Sequence, residues 1–280
     1  MADRDPSPPT PGQRNEPESP LTAKSLPAAV PAAVDASAHP RQPPLSIGHL
    51  MLWTAGSAIA LTVDLAARWG EDGPAGYRAF ANVMQVCYSM TAGIAVSSLV
   101  LCGYRRLTKG PAFPIQPGHW LLVVDGIVLL VSWCAWGLFM RSAPLVTEIS
   151  DDRSLLLFGW RIAAIFGLEG VAHAFAAWRL RDRAYWRLYL LIASLFGLSM
   201  SGTCFLISAV SPRSTFELTQ GGQRIGDLVL GLALLGLVTF ELRRRVSRDW
   251  LHWTGVVLRL INPMFTWAFV LWSMLAPWYW

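Results

Sequence analysis

The chain has 280 residues, of which 53% are hydrophobic and 15% charged, and its mean hydropathy is +0.39. A soluble domain carries charge on about a quarter of its residues, so this composition indicates a membrane protein. Basic loops at one membrane face are sufficient to produce the net charge of +5. The charge therefore gives no indication of a nucleic-acid-binding surface, and this class of partner is excluded on charge grounds.

The first 45 residues differ in composition from the rest of the chain. They contain 11 of the 19 prolines and none of the 14 tryptophans. Such a segment buries too little apolar surface to offset chain entropy, so we predict a disordered, Pro-rich cytoplasmic tail over residues 1–45. No apolar segment follows a basic start, so we expect the first spanning helix to act as the insertion signal in place of a cleavable signal peptide.

From Ser46 onward, seven apolar segments are each long enough to cross a bilayer, at about 20 residues per crossing. They cover roughly 46–67, 79–101, 119–140, 154–178, 185–210, 225–240 and 251–276. Helix-breaking residues, among them Gly221 and Gly222, separate the segments. Because backbone groups in lipid must be bonded within their own segment, the sequence predicts an all-α, polytopic membrane protein with a bundle of seven transmembrane helices.

Charged residues in the connections predict how the bundle is oriented. The connections after spans two, four and six hold eleven basic and three acidic residues, whereas those after spans one, three and five hold six of each. The positive-inside rule therefore places the amino terminus in the cytoplasm and the carboxyl terminus outside. The arginine clusters at 179–187 and 243–248 are candidates for binding anionic lipid at the inner leaflet. Arginines outnumber lysines by 21 to two, a usage typical of GC-rich coding, which favours a bacterial plasma membrane.

Six charged residues lie inside the predicted spans, where ionisable groups are rare and usually face the bundle interior. They are Asp64, Asp125, Arg161, Glu169, Asp227 and Arg259. The helical rise of 1.5 Å per residue places them in two layers. We interpret the outer layer, which would pair Arg161 with Asp64 or Asp227, as structural. The inner layer would pair Arg259 with Glu169 or Asp125.

Polar neighbours make the inner layer the candidate site. His173 lies four residues after Glu169, and Asn262 lies three residues after Arg259, so each pair shares a helix face. Together with Asp125 they form a hypothetical substrate or ion pathway between spans three, four and seven. We expect transport or binding of a small solute, an ion or a proton, with Glu169 as the acceptor and Arg259 as its partner. No enzymatic activity and no cofactor are predicted.

Two other functions are compatible with the sequence. The first is an intramembrane enzyme that binds a metal or haem through four histidines near the cytoplasmic side, since neutral imidazole is a good ligand for either. These histidines are His49, His119, His173 and His252, and no two of them have the spacing of a local ligand motif. The second is a structural subunit of a larger complex, in which the charge layers only hold helices together and the partner is another membrane protein.

Overall fold

The computed structural model describes residues 45–66, 75–110, 113, 116–142 and 152–275. Within these ranges the chain forms seven helices and no strand. They are α1 (Ile47–Ala66), α2 (Ala75–Lys109), α3 (Pro117–Ser142), α4 (Asp152–Arg179), α5 (Ala184–Val210), α6 (Pro212–Arg243) and α7 (Trp250–Leu275). The prediction of an all-α bundle of seven helices is confirmed. The predicted disordered tail lies outside the described residues, apart from Leu45.

Six of these helices contain a stretch that is long and apolar enough to cross a membrane. The stretches are Asn82–Thr108, Pro117–Ala135, Leu156–Arg179, Ala184–Val210, Gly221–Arg243 and Trp250–Trp272. Large apolar side chains such as Leu195 and Leu206 point outward, where a soluble protein would carry polar groups. The chain is therefore an integral, multi-pass membrane protein. Helix α1 is outside this set of six, so its crossing and the orientation of the bundle stay predictions.

The glycine pair predicted as a break before the sixth span lies inside a helix. Helix α6 begins at Pro212, well before the expected start near residue 225, and it continues through Gly221 and Gly222 without a break. Proline is favoured in the first helical turn, because the N–H groups there have no partner within the helix and proline lacks this group. Gly222 brings α6 close to α5, because a Cβ at this position would lie 2.8 Å from the Met200 sulfur. Gly222 therefore serves helix packing here, and the glycine pair does not form a turn.

The largest buried apolar cluster lies where α3, α4, α5, α6 and α7 meet. Its main members are Trp120, Leu121, Val124, Ala176, Ala177, Trp186, Tyr189, Leu190, Leu230, Leu234 and Val256. These residues lie toward the end of the bundle at which α2, α4 and α6 finish, which we call the basic end because its connections are rich in arginine. The opposite end is called the far end. Helix α7 packs against both α3 and α6, so its residues can reach the interior from between them.

Glycines set the spacing between the helices that carry the central charges. A Cβ on Gly118 of α3 would overlap the carbonyl oxygen of His252, and a Cβ on Gly255 of α7 would overlap that of Gly118. Between α4 and α5, a Cβ on Gly197 would lie 3.0 Å from the Cα atom of Gly170. Small residues at such contacts allow helix backbones to approach closely in a membrane. The α3–α7 and α4–α5 contacts therefore depend on glycine.

Candidate functional site

The interior of the bundle holds one arginine between two carboxylates, which we call the central cluster. Arg259 Nη1 of α7 lies 3.0 Å from Asp125 Oδ1 of α3, and its Nη2 lies 2.6 Å from Glu169 Oε1 of α4. The side chains of Arg259, Asp125 and Glu169 are only 13%, 12% and 17% exposed. Burial weakens screening by salt, and hydrogen bonds between ionised groups are stronger than neutral ones. The cluster therefore joins three helices through two strong contacts.

The local sequence explains why these charges face inward. His252, Val256 and Arg259 follow one another at helical spacing on α7, and the first two are buried, so Arg259 lies on the interior face. Glu169 immediately precedes Gly170, which is part of the close contact between α4 and α5. The positions next to the charged residues are thus fixed by packing.

A cavity of about 90 Å³ adjoins the central cluster. Its wall includes Asp125, Glu169 and Arg259, together with a third carboxylate, Asp227 of α6. Further polar groups in the wall come from α2 and α6, and they are Tyr88, Thr91 and Gln223. A buried water needs about 10–15 Å³ of such space, so the cavity has room for several waters or for a small hydrated cation.

A second, smaller cavity lies on another side of Arg259. It measures about 10 Å³, and Tyr189, Asp227 and Pro263 are part of its wall. The Tyr189 hydroxyl is buried and interacts with the Arg259 guanidinium, but it forms no hydrogen bond of normal geometry with a described residue. Space of this size is close to what one water requires. The small cavity is therefore a place where a water can bond to Tyr189.

The three residues predicted for an outer layer have different surroundings. Asp64 of α1 accepts a hydrogen bond from Ser89 Oγ of α2 at 2.5 Å. Arg161 of α4 donates from Nη2 to the carbonyl oxygen of Ser132 at 3.3 Å. Asp227 lies in the wall of the large cavity, beside the residues expected in the inner layer. The structure thus brings Asp227 to the candidate site.

His173 is fully buried one helical turn from Glu169. Its Nδ1 lies 2.8 Å from the carbonyl oxygen of Glu169. A carbonyl can only accept, so Nδ1 donates, and Nε2 of the neutral ring carries no proton. This Nε2 atom has no hydrogen-bond partner within the described ranges. The side chain of Asn262, the other predicted polar neighbour, lies outside the described residues.

The four histidines proposed as metal ligands bond to separate partners. Nδ1 of His49 is bonded to Ser46, Nε2 of His119 donates to a carboxylate, and Nδ1 of His252 accepts from a backbone N–H group. His173 bonds to its own helix, as described above. In the part of the chain that the structure describes, no three His, Cys, Asp or Glu side chains form a group that could hold a metal ion. The alternative of a four-histidine metal site is not formed there.

A polar network that we did not predict closes the basic end. Glu241, near the end of α6, is 5% exposed. It accepts a hydrogen bond from Trp186 Nε1 at 2.8 Å and forms an ion pair with Arg248. His252 Nε2 lies 3.5 Å from its other carboxylate oxygen. In the sequence, Glu241 and Arg248 belong to the connection after span six, where charged residues are expected to face water. Nothing in their spacing indicates that they are buried.

Asp249 extends this network to α2 and α3. It accepts from His119 Nε2 and from the backbone N–H of His252, both at 2.8 Å, and Arg105 lies 3.9 Å away. The second contact is a helix N-cap, in which a side-chain oxygen satisfies an unpaired N–H of the first turn. An aspartate immediately before an apolar helix is a start signal that the sequence shows. This signal could have identified Asp249 as a structural residue.

Acid should weaken the Asp249 contacts. Burial raises the pKa of this carboxyl. The His119 hydrogen bond, the His252 N–H group and the charge of Arg105 lower the pKa by more than burial raises it, so it lies below the ordinary 3.8. A carboxyl with a lowered pKa stabilises the folded state at pH values above its ordinary pKa. This stabilisation is lost as the pH falls through the lower pKa of the folded state. We expect Asp249→Asn to lower the melting temperature at neutral pH and to reduce its drop in acid, measured by tryptophan fluorescence. The exposed Asp182→Asn variant is the control, and identical pH profiles for Asp249→Asn and the native protein would contradict the prediction.

Comparison of the chain with protein-family models, with curated proteins and with solved structures gives no match.

Proposed function

We propose that the protein moves protons or a small cation across the membrane through the large cavity. The observation that carries this proposal is that Asp125 and Glu169 share a single guanidinium in the wall of that cavity. Ionisable residues inside a membrane bundle commonly mark proton and ion pathways. From the sequence, we place this activity in a bacterial plasma membrane with the basic end toward the cytoplasm.

The charge of the central cluster favours a positively charged ligand. With Asp125, Glu169 and Arg259 all ionised, the cluster carries one net negative charge, before any contribution from the rest of the wall. An uncompensated charge in a medium of low polarity is costly, and a proton or a cation in the cavity removes that cost. The site is therefore suited to hold one positive charge in addition to the guanidinium.

The shape of the bundle supports access from one side at a time. The cavity extends from the central cluster to Tyr88 of α2 and Gln223 of α6, which belong to the far-end halves of their helices. Toward the basic end, the apolar cluster around Trp120 and Trp186 fills the space between the helices. Beyond it lies the network of Glu241. In this proposal the described conformation is closed at the basic end, and transport requires that end to open.

Removal of the acidic proton site on α4 should abolish transport. We expect Glu169→Gln to reduce ion movement about 100-fold or more, the usual size of the effect when a proton-transferring group is lost. The measurement is the decay of an imposed pH or cation gradient across liposomes that contain the purified protein. Glutamine keeps the size of the side chain and can still accept a bond from Arg259.

The matched control is Glu217→Gln, because Glu217 is an exposed carboxylate on the same protein. It should behave like the native protein. Gradient decay in native-protein liposomes that equals decay in empty liposomes would refute the proposed function, as would full activity of Glu169→Gln.

A further inference from the structure

Two buried polar atoms near the central cluster form no hydrogen bond of normal geometry with a described residue, although one of them, the Tyr189 hydroxyl, interacts with the Arg259 guanidinium. They are Nε2 of His173 and the hydroxyl of Tyr189. The two residues are 0% and 3% exposed, respectively. Buried polar groups are nearly always bonded, so an unpaired one indicates an unseen water or a functional role. Both residues lie between the central cluster and the basic end, because His173 follows Glu169 on α4 and Tyr189 is near the start of α5.

The hydrogen bond to the Glu169 carbonyl sets the tautomer of the neutral His173 ring. Nδ1 donates to the Glu169 carbonyl, so the free Nε2 is a proton acceptor. The charged groups that act on the ring are Arg259 and Glu169. Residues four apart on a helix have Cβ atoms about 5–6 Å apart, so the His173 ring is within reach of the Glu169 carboxyl directly or through one water. Histidine thus lies next to the carboxylate that we expect to bind the transported ion.

Tyr189 connects the central cluster with the network at the basic end. Its hydroxyl adjoins the small cavity beside Arg259, which has room for one water. Its ring contacts that of Trp186 one turn earlier on α5, with centroids 6.1 Å apart. Trp186 in turn donates to Glu241, the nearest carboxylate of the basic-end network. Tyr189 and Trp186 therefore line one side of α5 between the small cavity and Glu241.

His252 orients Glu241 of the basic-end network and does not relay a proton. Its Nδ1 accepts the backbone N–H of Gly118 at 2.8 Å, so the proton of the neutral ring is on Nε2. That Nε2–H group points toward Glu241 Oε2 at 3.5 Å. His252 is accordingly a positioning residue for Glu241.

We propose that the transported ion is a proton and that His173 is the next proton-binding group after Glu169 on the way to the basic end, with Tyr189 and bridging waters continuing the path. This inference rests on the proposed function. In the transfer step the O–H bond of protonated Glu169 breaks, its electron pair stays on the carboxylate, and an N–H bond forms at His173 Nε2. The products are an imidazolium and a carboxylate, which attract each other. Release of the Nε2 proton to a water restores the neutral ring.

The chemistry of the route favours a proton over a metal cation. Small hard cations prefer several oxygen ligands, whereas the route offers one imidazole nitrogen and one phenol. In the part of the chain that the structure describes, no group of three His, Cys, Asp or Glu side chains is arranged to hold a metal ion. The Nε2 atom of His173 can bind a single proton, whereas it offers only one ligand atom to a metal ion.

The test compares proton and potassium movement in liposomes that contain native protein, His173→Asn or the control His49→Asn. Asparagine can still donate to the Glu169 carbonyl but has no proton-accepting nitrogen. We expect native protein and His49→Asn to move protons and not potassium, with slower movement in D2O. His173→Asn should move protons about 100-fold more slowly and melt at the native temperature. Tyr189→Phe, which removes one oxygen atom, should also slow proton movement and provides a second test if His173→Asn does not fold.

The outcomes separate this inference from the proposed function. Native rates in both His173→Asn and Tyr189→Phe, or potassium movement by the native protein, would overturn the inference and leave the proposed function standing. Absence of any ion movement by the native protein would refute the proposed function and the inference with it.

Discussion

The Arg259→Ala variant should be strongly destabilised and should accumulate poorly in membranes. It leaves Asp125 and Glu169 buried without the guanidinium that both of them contact. Loss of one partner from a buried ion pair costs about 3–5 kcal/mol, a large share of the 5–15 kcal/mol typical of a whole protein. The measurement is the melting temperature of the purified protein, followed by tryptophan fluorescence, together with its yield from membranes.

A triple variant separates charge balance from simple loss of packing. Arg259→Leu combined with Asp125→Asn and Glu169→Gln removes all three charges and keeps side chains of similar size. Replacement of a complete buried charge cluster by neutral groups is often neutral or stabilising, so the triple variant should recover most of the melting temperature. It should not recover ion movement. Arg243→Ala, at an exposed site, is the control, and a native melting temperature for Arg259→Ala alone would show that the central cluster contributes nothing to the fold.

A methyl group at the α3–α7 contact should be as damaging as the loss of Arg259. In Gly255→Ala the new Cβ would overlap the carbonyl oxygen of Gly118, which is a backbone atom and cannot rotate away. The helices would have to separate, which would break the bond between Gly118 N–H and His252. We expect a loss of stability at or above the upper end of the 1–3 kcal/mol that is typical of overpacked cores. Yield and melting temperature are the measurements.

Gly236→Ala is the matched control for this substitution. A Cβ on Gly236 of α6 meets no atom within 4 Å. Alanine is the better helix former by about 1 kcal/mol, so this variant should be as stable as the native protein or slightly more stable. Equal stability of Gly255→Ala and Gly236→Ala would disprove the role of glycine at the α3–α7 contact.

Hydropathy was sufficient to predict the seven helices because each membrane helix satisfies its own backbone and leaves a local signal. The break predicted at Gly221 and Gly222 was wrong because the pair has the composition of a turn, whereas α6 continues through both residues and packs Gly222 against Met200 of α5. That error affected the site as well. The sequence places Asp227 at the outer start of a short span, but it is part of a longer helix and lines the large cavity.

The central cluster was partly predictable for a related reason. A charge in an apolar segment is rare, so Asp125, Glu169 and Arg259 were visible as candidates. That Arg259 contacts both carboxylates depends on how α3, α4 and α7 pack, which the sequence pattern does not specify. Glu241 was missed because charges at the ends of spans are normally solvated, and its burial depends on Trp186 from a distant part of the chain. Tyr189 was missed because a tyrosine near a membrane interface is common.

The contacts of Arg259 also have a consequence for the biosynthesis of the protein. Asp125 and Glu169 precede Arg259 in the chain by 134 and 90 residues. Synthesis proceeds from the amino terminus, so α3 and α4 leave the ribosome before their counter-charge exists. Until α7 is inserted, these helices hold carboxylates that must stay protonated or remain near water. The arrival of α7 supplies the guanidinium and the Gly118–Gly255 contact in one event, so a chain interrupted before α7 would hold Asp125 and Glu169 without their counter-charge.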